Sequence, residues 1–313
     1  MAGNSNYTTD LATSTYKKYA EKELRDNIFT SNALLFKIQK AGNYVPYDGG
    51  ETILEPVMFA EKTGAAAFSG YELLSTSANQ ISTNAEYTVR QYSAPIVISG
   101  REEKANMGEV AVLNMLKSRM QNSEETIKGL LNAHLYNTAV GGADSKSLDG
   151  IGIMVDSAGT YGNINPTSET WWASTEASFS ANLVEEMDTQ YFSVSKGSTD
   201  KPDLGITTQT VYEKLLHEID PSLRLSSTLL GDVGFESIRF RGMDVVYDED
   251  ATSGVFYFLN TKYIKLRYHP EVNFAVSDVK QPTNQDAKIW HVLWMGALTC
   301  SARLRQAKLT GVS

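Results

Sequence analysis

Residues 99–137, SGREEKANMGEVAVLNMLKSRMQNSEETIKGLLNAHLYN, decide how the rest of the chain is read. Apolar side chains recur at Leu113, Leu116, Met120, Ile127, Leu131 and Leu135, with Val110 leading in. Steps of three, four and seven residues put them on one face of an α-helix. Lys117, Gln121, Glu124, Lys128 and Asn132 form the opposite, polar stripe, and Glu124 precedes Lys128 by four, a favourable pair. Gly108 sets a short first turn, around Arg101–Ala105, apart from the main helix. From Glu109 to Thr138 such a helix is about 45 Å long at 1.5 Å per residue. A rod of that length serves as a spine against which a sheet lies.

Before the spine, Asp10–Gln39 reads as helical, with Leu11, Tyr16, Tyr19, Leu24 and Ile28 set among charged residues. It is either a packed terminal helix or an arm lying on a neighbouring subunit. Gly42–Gly50 is rich in turn residues. Thr52–Phe59 is a strand in which Pro56 argues against a central position in a sheet. Ala60–Asn84 is rich in Gly, Ala and Ser, with Phe68, Tyr71, Leu73 and Leu74 among them. Glu86–Ser99 returns as a strand, placing Tyr87 and Val89 on one face and Thr88, Arg90 and Tyr92 on the other. The two strands make a long hairpin with little core of its own, so its apolar residues need a partner surface, from the same chain or another copy.

After the spine, Gly141-Gly142 is expected to end the helix. Leu148, Ile151, Ile153, Met154 and Val155 mark a short buried strand or turn. Phe179–Phe192 has helical spacing at Leu183, Met187 and Tyr191, and Thr207–Ile219 turns Val211, Leu215 and Leu216 inward after the short strand Asp203–Ile206. Phe235–Phe240, Met243–Tyr247, Val255–Asn260, Tyr263–Tyr268, Phe274–Val279 and Ile289–Ala297 are strands, and the last alternates Trp290, Val292 and Trp294 against His291, Leu293 and Met295.

The bulk numbers exclude several classes. The 313 residues carry a formal net charge of -9, which disfavours tight phosphate binding through clustered Lys and Arg. One cysteine, Cys300, allows no internal disulfide and no thiolate zinc site, and fits a reducing compartment. No apolar run is long enough for a membrane span, and a soluble intracellular protein is expected.

Chemistry is sparse. The sequence has no Gly-x-Ser-x-Gly elbow, no phosphate-binding loop and no His-Glu-x-x-His. Gly150-Ile-Gly152 begins like a dinucleotide fingerprint, but Val155 stands where the third glycine belongs and a helix, not a strand, precedes it. His134, His217, His269 and His291 lack metal-ligand spacing and read as structural. Asp248, Glu249 and Asp250 are the densest acidic cluster, but Ser253 and Leu259 fall where a calcium loop needs Gly and Glu, so a solvated turn is expected. Arg303, Arg305 and Lys308 give the acidic chain a basic end, to face DNA or to pair with the acidic body; a partly solvated intramolecular strand is the simpler reading.

Taken in order, these elements resemble the major capsid protein of tailed bacteriophages, a shell-forming fold shared with herpesvirus capsids and encapsulins. Residues 49–99 resemble that family's extended loop, Glu102–Thr138 the spine of its peripheral domain, and GGADSKSLDGIGIMVDS the Gly-rich exit with its Leu-x-Gly-Ile step. TTQTVYEKLLHEI is similar to a helix of the axial domain, and FRGMDVVYDEDATSGVFYFLNTKYIKLRYHPEVNF to the passage back to the peripheral sheet.

The resemblance implies an α+β fold with an N-terminal arm at 1–43, an extended β-hairpin loop at 44–99, and a peripheral domain of spine helix and long-stranded sheet at 100–147 and 255–300. An axial α/β domain at 148–254 and a C-terminal tail at 301–313 complete it. It implies a structural protein without catalytic residues, cofactor or bound metal. Copies of the chain would form hexamers and pentamers of an icosahedral head, assembled in the host cytoplasm, that encloses double-stranded DNA without binding it specifically. A separate scaffolding protein, a portal and decoration proteins are the further partners implied, and no membrane. Phe68, Tyr71, Leu73 and Leu74 are the expected intersubunit contacts. Some members cross-link a loop lysine to a neighbour's asparagine; Lys62 is the hairpin's one lysine, and no cross-link is expected. The rival readings are an encapsulin-like shell protein, another virion component, and an α/β hydrolase-type enzyme using His217 or His291.

Overall fold

A computed structural model describes residues 32–61, 66–73, 79–105, 109–219 and 237–312. The first described element is a short helix, α1 (Ala33–Lys40), capped by Asn32, whose side-chain oxygen accepts from the amides of Leu34 and Leu35. Leu34, Leu35, Phe36 and Ile38 are all buried in the chain's own core, so this part of the expected arm is a packed helix. The remainder of the expected helix, including Leu11, Tyr16, Tyr19, Leu24 and Ile28, lies outside the described residues.

Strands β1 (Tyr44–Pro46), β2 (Thr52–Met58), β3 (Ser82–Thr88) and β4 (Arg90–Ser99) follow. The expected single return strand is therefore two, broken at Val89. The break shifts the side-chain alternation by one residue: Ala85 and Tyr87 point inward before it, Tyr92, Ala94, Ile96 and Ile98 after it. Tyr87 and Tyr92, expected on opposite faces, are both buried for this reason. β3 pairs with β2 in a two-stranded hairpin, while β4 leaves it for a different sheet.

After the short helix α2 (Gly100–Ala105) comes the spine, α3 (Glu109–Leu135), about 40 Å long. Met120, Ser123, Ile127, Leu131 and Leu135 line its buried face, against the inward residues of β4. The side chains of Val110, Leu113, Leu116, Lys117 and Glu124 lie outside the described residues. The spine ends at Leu135, before the glycine pair expected to stop it. Its last turn tightens, with the Tyr136 and Asn137 amides reaching back three residues. The Asn137 side chain then donates to the Leu148 carbonyl, drawing the following loop against the helix end.

That loop leads into α4 (Ile151–Met154), a buried helical turn where a strand or turn was expected. Its glycines serve close approach. A Cβ on Gly150 would press on the Leu135 carbonyl oxygen and lie 2.6 Å from the Asn137 nitrogen, both backbone atoms. Gly150→Ala is accordingly expected to destabilise the chain by ~1–3 kcal/mol through overpacking, read as a lower urea midpoint at unchanged slope.

The rest comprises β5 (Thr175–Ser178), α5 (Leu183–Val194), β6 (Leu204–Thr207), α6 (Gln209–Glu218), β7 (Ser237–Phe240), β8 (Met243–Tyr247), β9 (Val255–Leu259), β10 (Ile264–Val276), β11 (Ala287–Cys300) and β12 (Ala307–Thr310). Tyr263–Tyr268 and Phe274–Val279, expected as two strands, are one long strand with irregular register around Asn273. β1-β10-β11-β4 form a sheet of long strands, and β5-β12-β9-β6-β8-β7 a six-stranded one.

Four strands join other sheets than the division read from the sequence implies. β1 and β4 are the outer strands of the long-stranded sheet rather than parts of the hairpin. β9 and β12 belong to the six-stranded sheet, although the first was grouped with the long strands and the second with a tail. The cause is burial on both faces. Phe256 and Phe258 of β9 meet α5 and α6 through Met187, Tyr191 and Leu215, while Val255, Tyr257 and Leu259 join the core that includes the spine. Apolar runs such as VFYFL have no polar face to reveal which sheet they join.

Candidate assembly interface

The hairpin has a root and a tip with opposite surroundings. At the root, Ile53, Glu55 and Val57 of β2 and Ala85 and Tyr87 of β3 point inward and are buried on the chain's own body. The Tyr87 hydroxyl donates to the Cys300 carbonyl at 2.6 Å, and the Tyr87 ring meets Tyr161 edge-on. Phe59 stacks on Trp171 at 4.8 Å between centroids. The expected need for a partner surface is met by the same chain here.

Among the described residues the tip has no such cover. Phe68 is 63% exposed, and Tyr71 and Leu73 are fully exposed. Leu74 and Lys62 lie outside the described residues. Gly70, at φ +54°, bends the tip, and Glu72 accepts from the Ser69 amide across it. The sequence reading missed two residues that extend this surface. Leu54 and Met58, 59% and 76% exposed, form an apolar stripe on the outer face of β2. The signal was the strand itself: TILEPVM carries apolar residues at both parities, the pattern of a strand to be covered on both faces.

Glu55 joins root and body electrostatically. Its carboxylate is buried and accepts from Lys265 Nζ at 2.5 Å and Arg267 Nη2 at 2.7 Å, both on β10. Burial alone would push its pKa up, but the hydrogen bonds and charges of Lys265 and Arg267 outweigh it and hold the carboxyl below its usual range. A carboxyl depressed on folding adds stability above its unfolded pKa, about 4.3, which is lost as pH falls through the folded value. Glu55→Gln should therefore be less stable than the parent at pH 7, and the gap should narrow in denaturation curves taken below about pH 4.

The acidic turn is solvated at Glu249 and Asp250, as expected, but Asp248 is drawn into the body. Asp248 accepts from Asn32 Nδ2 at 2.7 Å, the Tyr136 hydroxyl at 2.8 Å and Asn132 Nδ2 at 3.2 Å. Asn132 also donates to Asp250. One carboxylate thus ties α1, the spine and the turn after β8 together, and burial followed by the Asp248 charge pushes the Tyr136 hydroxyl well above its ordinary pKa. Asn132, read as part of the spine's polar stripe, is drawn into this junction.

The basic end is internal. Arg303 is fully buried and donates to the carbonyls of Ile153, Met154, Asp156 and Gly159, with its guanidinium against the rings of Tyr161 and Trp172. Arg305 lies 3.5 Å from Asp200, and Lys308 reaches Asp156 and Glu176. With these cations committed to the chain's own acids and carbonyls, duplex DNA is expected to show no measurable retention in a gel-shift titration at physiological salt.

Cys300 and His134 sit in the interior or against it. Cys300 is buried, and burial pushes its thiol up to about 12, far from a nucleophile's range. His134 Nδ1 lies 2.9 Å from the Tyr92 hydroxyl, beside the spine's apolar face. Among the described residues no three His, Cys, Asp or Glu side chains gather as a metal site, and no helix is long and apolar enough to cross a membrane.

No protein-family profile and no curated protein sequence matches the chain. Solved structures do. The capsid asymmetric unit of cyanophage A-1(L) superposes with a TM-score of 0.66 at 13% identity, over 87% of this chain and 90% of that one. The capsid of the native GTA particle gives 0.60 at 11% identity, over 87% and 89%. The procapsid of satellite phage P4, which includes its size determination (Sid) protein, gives 0.53 at 11% identity, over 100% and 98%. The chain has the fold of phage major capsid proteins.

Proposed function

We propose that the chain is a structural shell protein of a bacteriophage head. Copies of it associate as hexamers and pentamers that close into an icosahedral container for double-stranded DNA. The observation that carries this reading is the hairpin. Its root is fixed to the body of its own chain, while Phe68, Tyr71 and Leu73 at the tip, and Leu54 and Met58 along one face, stay largely exposed. Large apolar side chains exposed together on one projecting element mark a contact with another molecule. A shell presents one such contact from every subunit to the next, so modest interfaces sum over a closed surface.

The division of labour follows the two sheets. The long-stranded sheet with the spine forms the peripheral domain, the six-stranded sheet with α5 and α6 the axial one, and the hairpin reaches to a neighbour. The internal use of Arg303, Arg305 and Lys308 and the net charge of -9 suit a container that encloses DNA without gripping it. A separate scaffolding protein, a portal and decoration proteins are the further partners of this reading, and the virion is its location. Electron microscopy of the purified protein, alone and with the other head proteins of its phage, tests it. Closed shells of uniform size are expected; a protein that stays a monomer under all these conditions would refute the reading.

A further inference from the structure

The inner face of the hairpin root is mostly apolar: Ile53, Val57, Ala85 and Tyr87. Apolar contact is non-directional, and by itself lets a strand slide or tilt over the surface beneath it. Tyr87 adds one hydrogen bond, from its hydroxyl to the Cys300 carbonyl, and Glu55 is the charged group in the middle of that face. Its two carboxylate oxygens are divided between two cations, Oε1 to Lys265 and Oε2 to Arg267. These stand two residues apart on β10 and so project from the same side of the sheet. A carboxylate held between two cations in this way has one position along β10 and one angle across it.

The other directional links sit at two adjacent residues of β3, where the Tyr87 hydroxyl donates to the Cys300 carbonyl and the Glu86 amide to the Gly162 carbonyl; they form a pivot, and Glu55 on β2 fixes the rotation about it. The chain enters the hairpin through Gly49 and Gly50, at φ +99° and +108°, and a Cβ on Gly49 would meet nothing within 4 Å. It leaves through the break at Val89. The triad is also imperfect as a stability element, because Arg267 Nε is buried without an acceptor. Buried ion clusters of this kind often cost as much in desolvation as they return in attraction, and their value lies in specifying one arrangement.

We propose that Glu55, with Lys265 and Arg267, is an orientation latch that sets the angle at which the hairpin leaves the body. The latch is a property of the single chain. Its use, aiming the tip at a neighbour before assembly, rests on the shell reading above.

The test is made on dilute, unassembled full-length protein. Spin labels are attached at Ala67→Cys on the tip and Gln121→Cys on the exposed side of the spine, and their separation is measured by pulsed electron resonance. Cys300 is buried with its thiol pushed up to about 12, so it does not compete for label. The parent should give one narrow distance distribution. Glu55→Leu combined with Lys265→Met and Arg267→Met should keep a cooperative melting transition while the distribution at least doubles in width. If that triple variant does not fold, Glu55→Gln decides: a broadened distribution supports the latch, and one as narrow as the parent's overturns it. A folded triple variant with the parent's distribution also overturns it. Each result is read without assembly, so the latch stands or falls independently of the shell reading.

Discussion

Arg303→Leu is expected to lower the stability of the chain by roughly 3–5 kcal/mol, a large part of the ~5–15 kcal/mol that holds a typical domain. The side chain is fully buried, and four carbonyls, those of Ile153, Met154, Asp156 and Gly159, depend on its fork of donors. Leucine would leave the buried carbonyls of Ile153 and Met154 without this donor, where each unsatisfied polar group costs ~1–3 kcal/mol before relaxation, and would strip a donor from the part-buried Asp156 and Gly159 carbonyls as well. Tyr161 and Trp172, which flank the guanidinium, would lose their packing partner as well. Arg303→Lys should recover only part of the loss, because a point charge with three donors cannot span carbonyls from both ends of this loop. Urea denaturation of the three proteins measures the order. Lysine performing as well as arginine would show that charge, and not the planar fork, is what the site requires.

Phe68→Ala combined with Leu73→Ala should do the reverse, leaving the folded monomer intact and abolishing shells. Both residues stand outside the chain's core, so the melting temperature of the unassembled protein should stay within ~1 °C of the parent. Burying each at a neighbour is worth about 1.5–3 kcal/mol, so the pair removes ~3–6 kcal/mol from every tip contact, a factor of roughly 10²–10⁴ in its association constant. Sedimentation of the assembly mixture should show free subunits or capsomers only. Val57→Ala at the root, which is buried on the same chain, provides the contrast, with a lower melting temperature. Normal shells from the tip double variant would remove the hairpin from the assembly interface. A collapsed monomer would mean that the tip packs on its own chain.

Much of this organisation is local and was legible in the amino-acid order. The spine follows from its 3.6-residue stripe, of which Met120, Ile127, Leu131 and Leu135 are buried as expected. In β11, the burial of Val292 and Trp294 follows the two-residue alternation. Leu183, Met187 and Tyr191 face the core at helical spacing. The exposed apolar tip at Phe68, Tyr71 and Leu73 was legible too, because glycine, alanine and serine around it offer nothing to cover it.

Partner choice at long range was decided only in three dimensions. A one-residue interruption at Val89 changes which face Tyr92 joins, and no propensity marks it, since valine suits a strand. VFYFL is apolar on both faces, so its order alone cannot say that β9 lies between β6 and β12. The glycines of Gly150-Ile-Gly152 are explained by the backbone of the spine's end a few ångströms away, a neighbour that only the turn after Leu135 brings there. Charged side chains carry the least sequence information of all. Arg303 and Asp248 read as solvated or partly so, and Glu55 carried no signal, because charge usually stays in water. Each is instead held by partners 112 to 216 residues distant in the chain, with Arg303 among carbonyls at 144 to 150 and Glu55 between cations at 210 and 212. Periodicity records which face of an element meets an interior; the identity of the group waiting there is fixed by the closure of the whole chain.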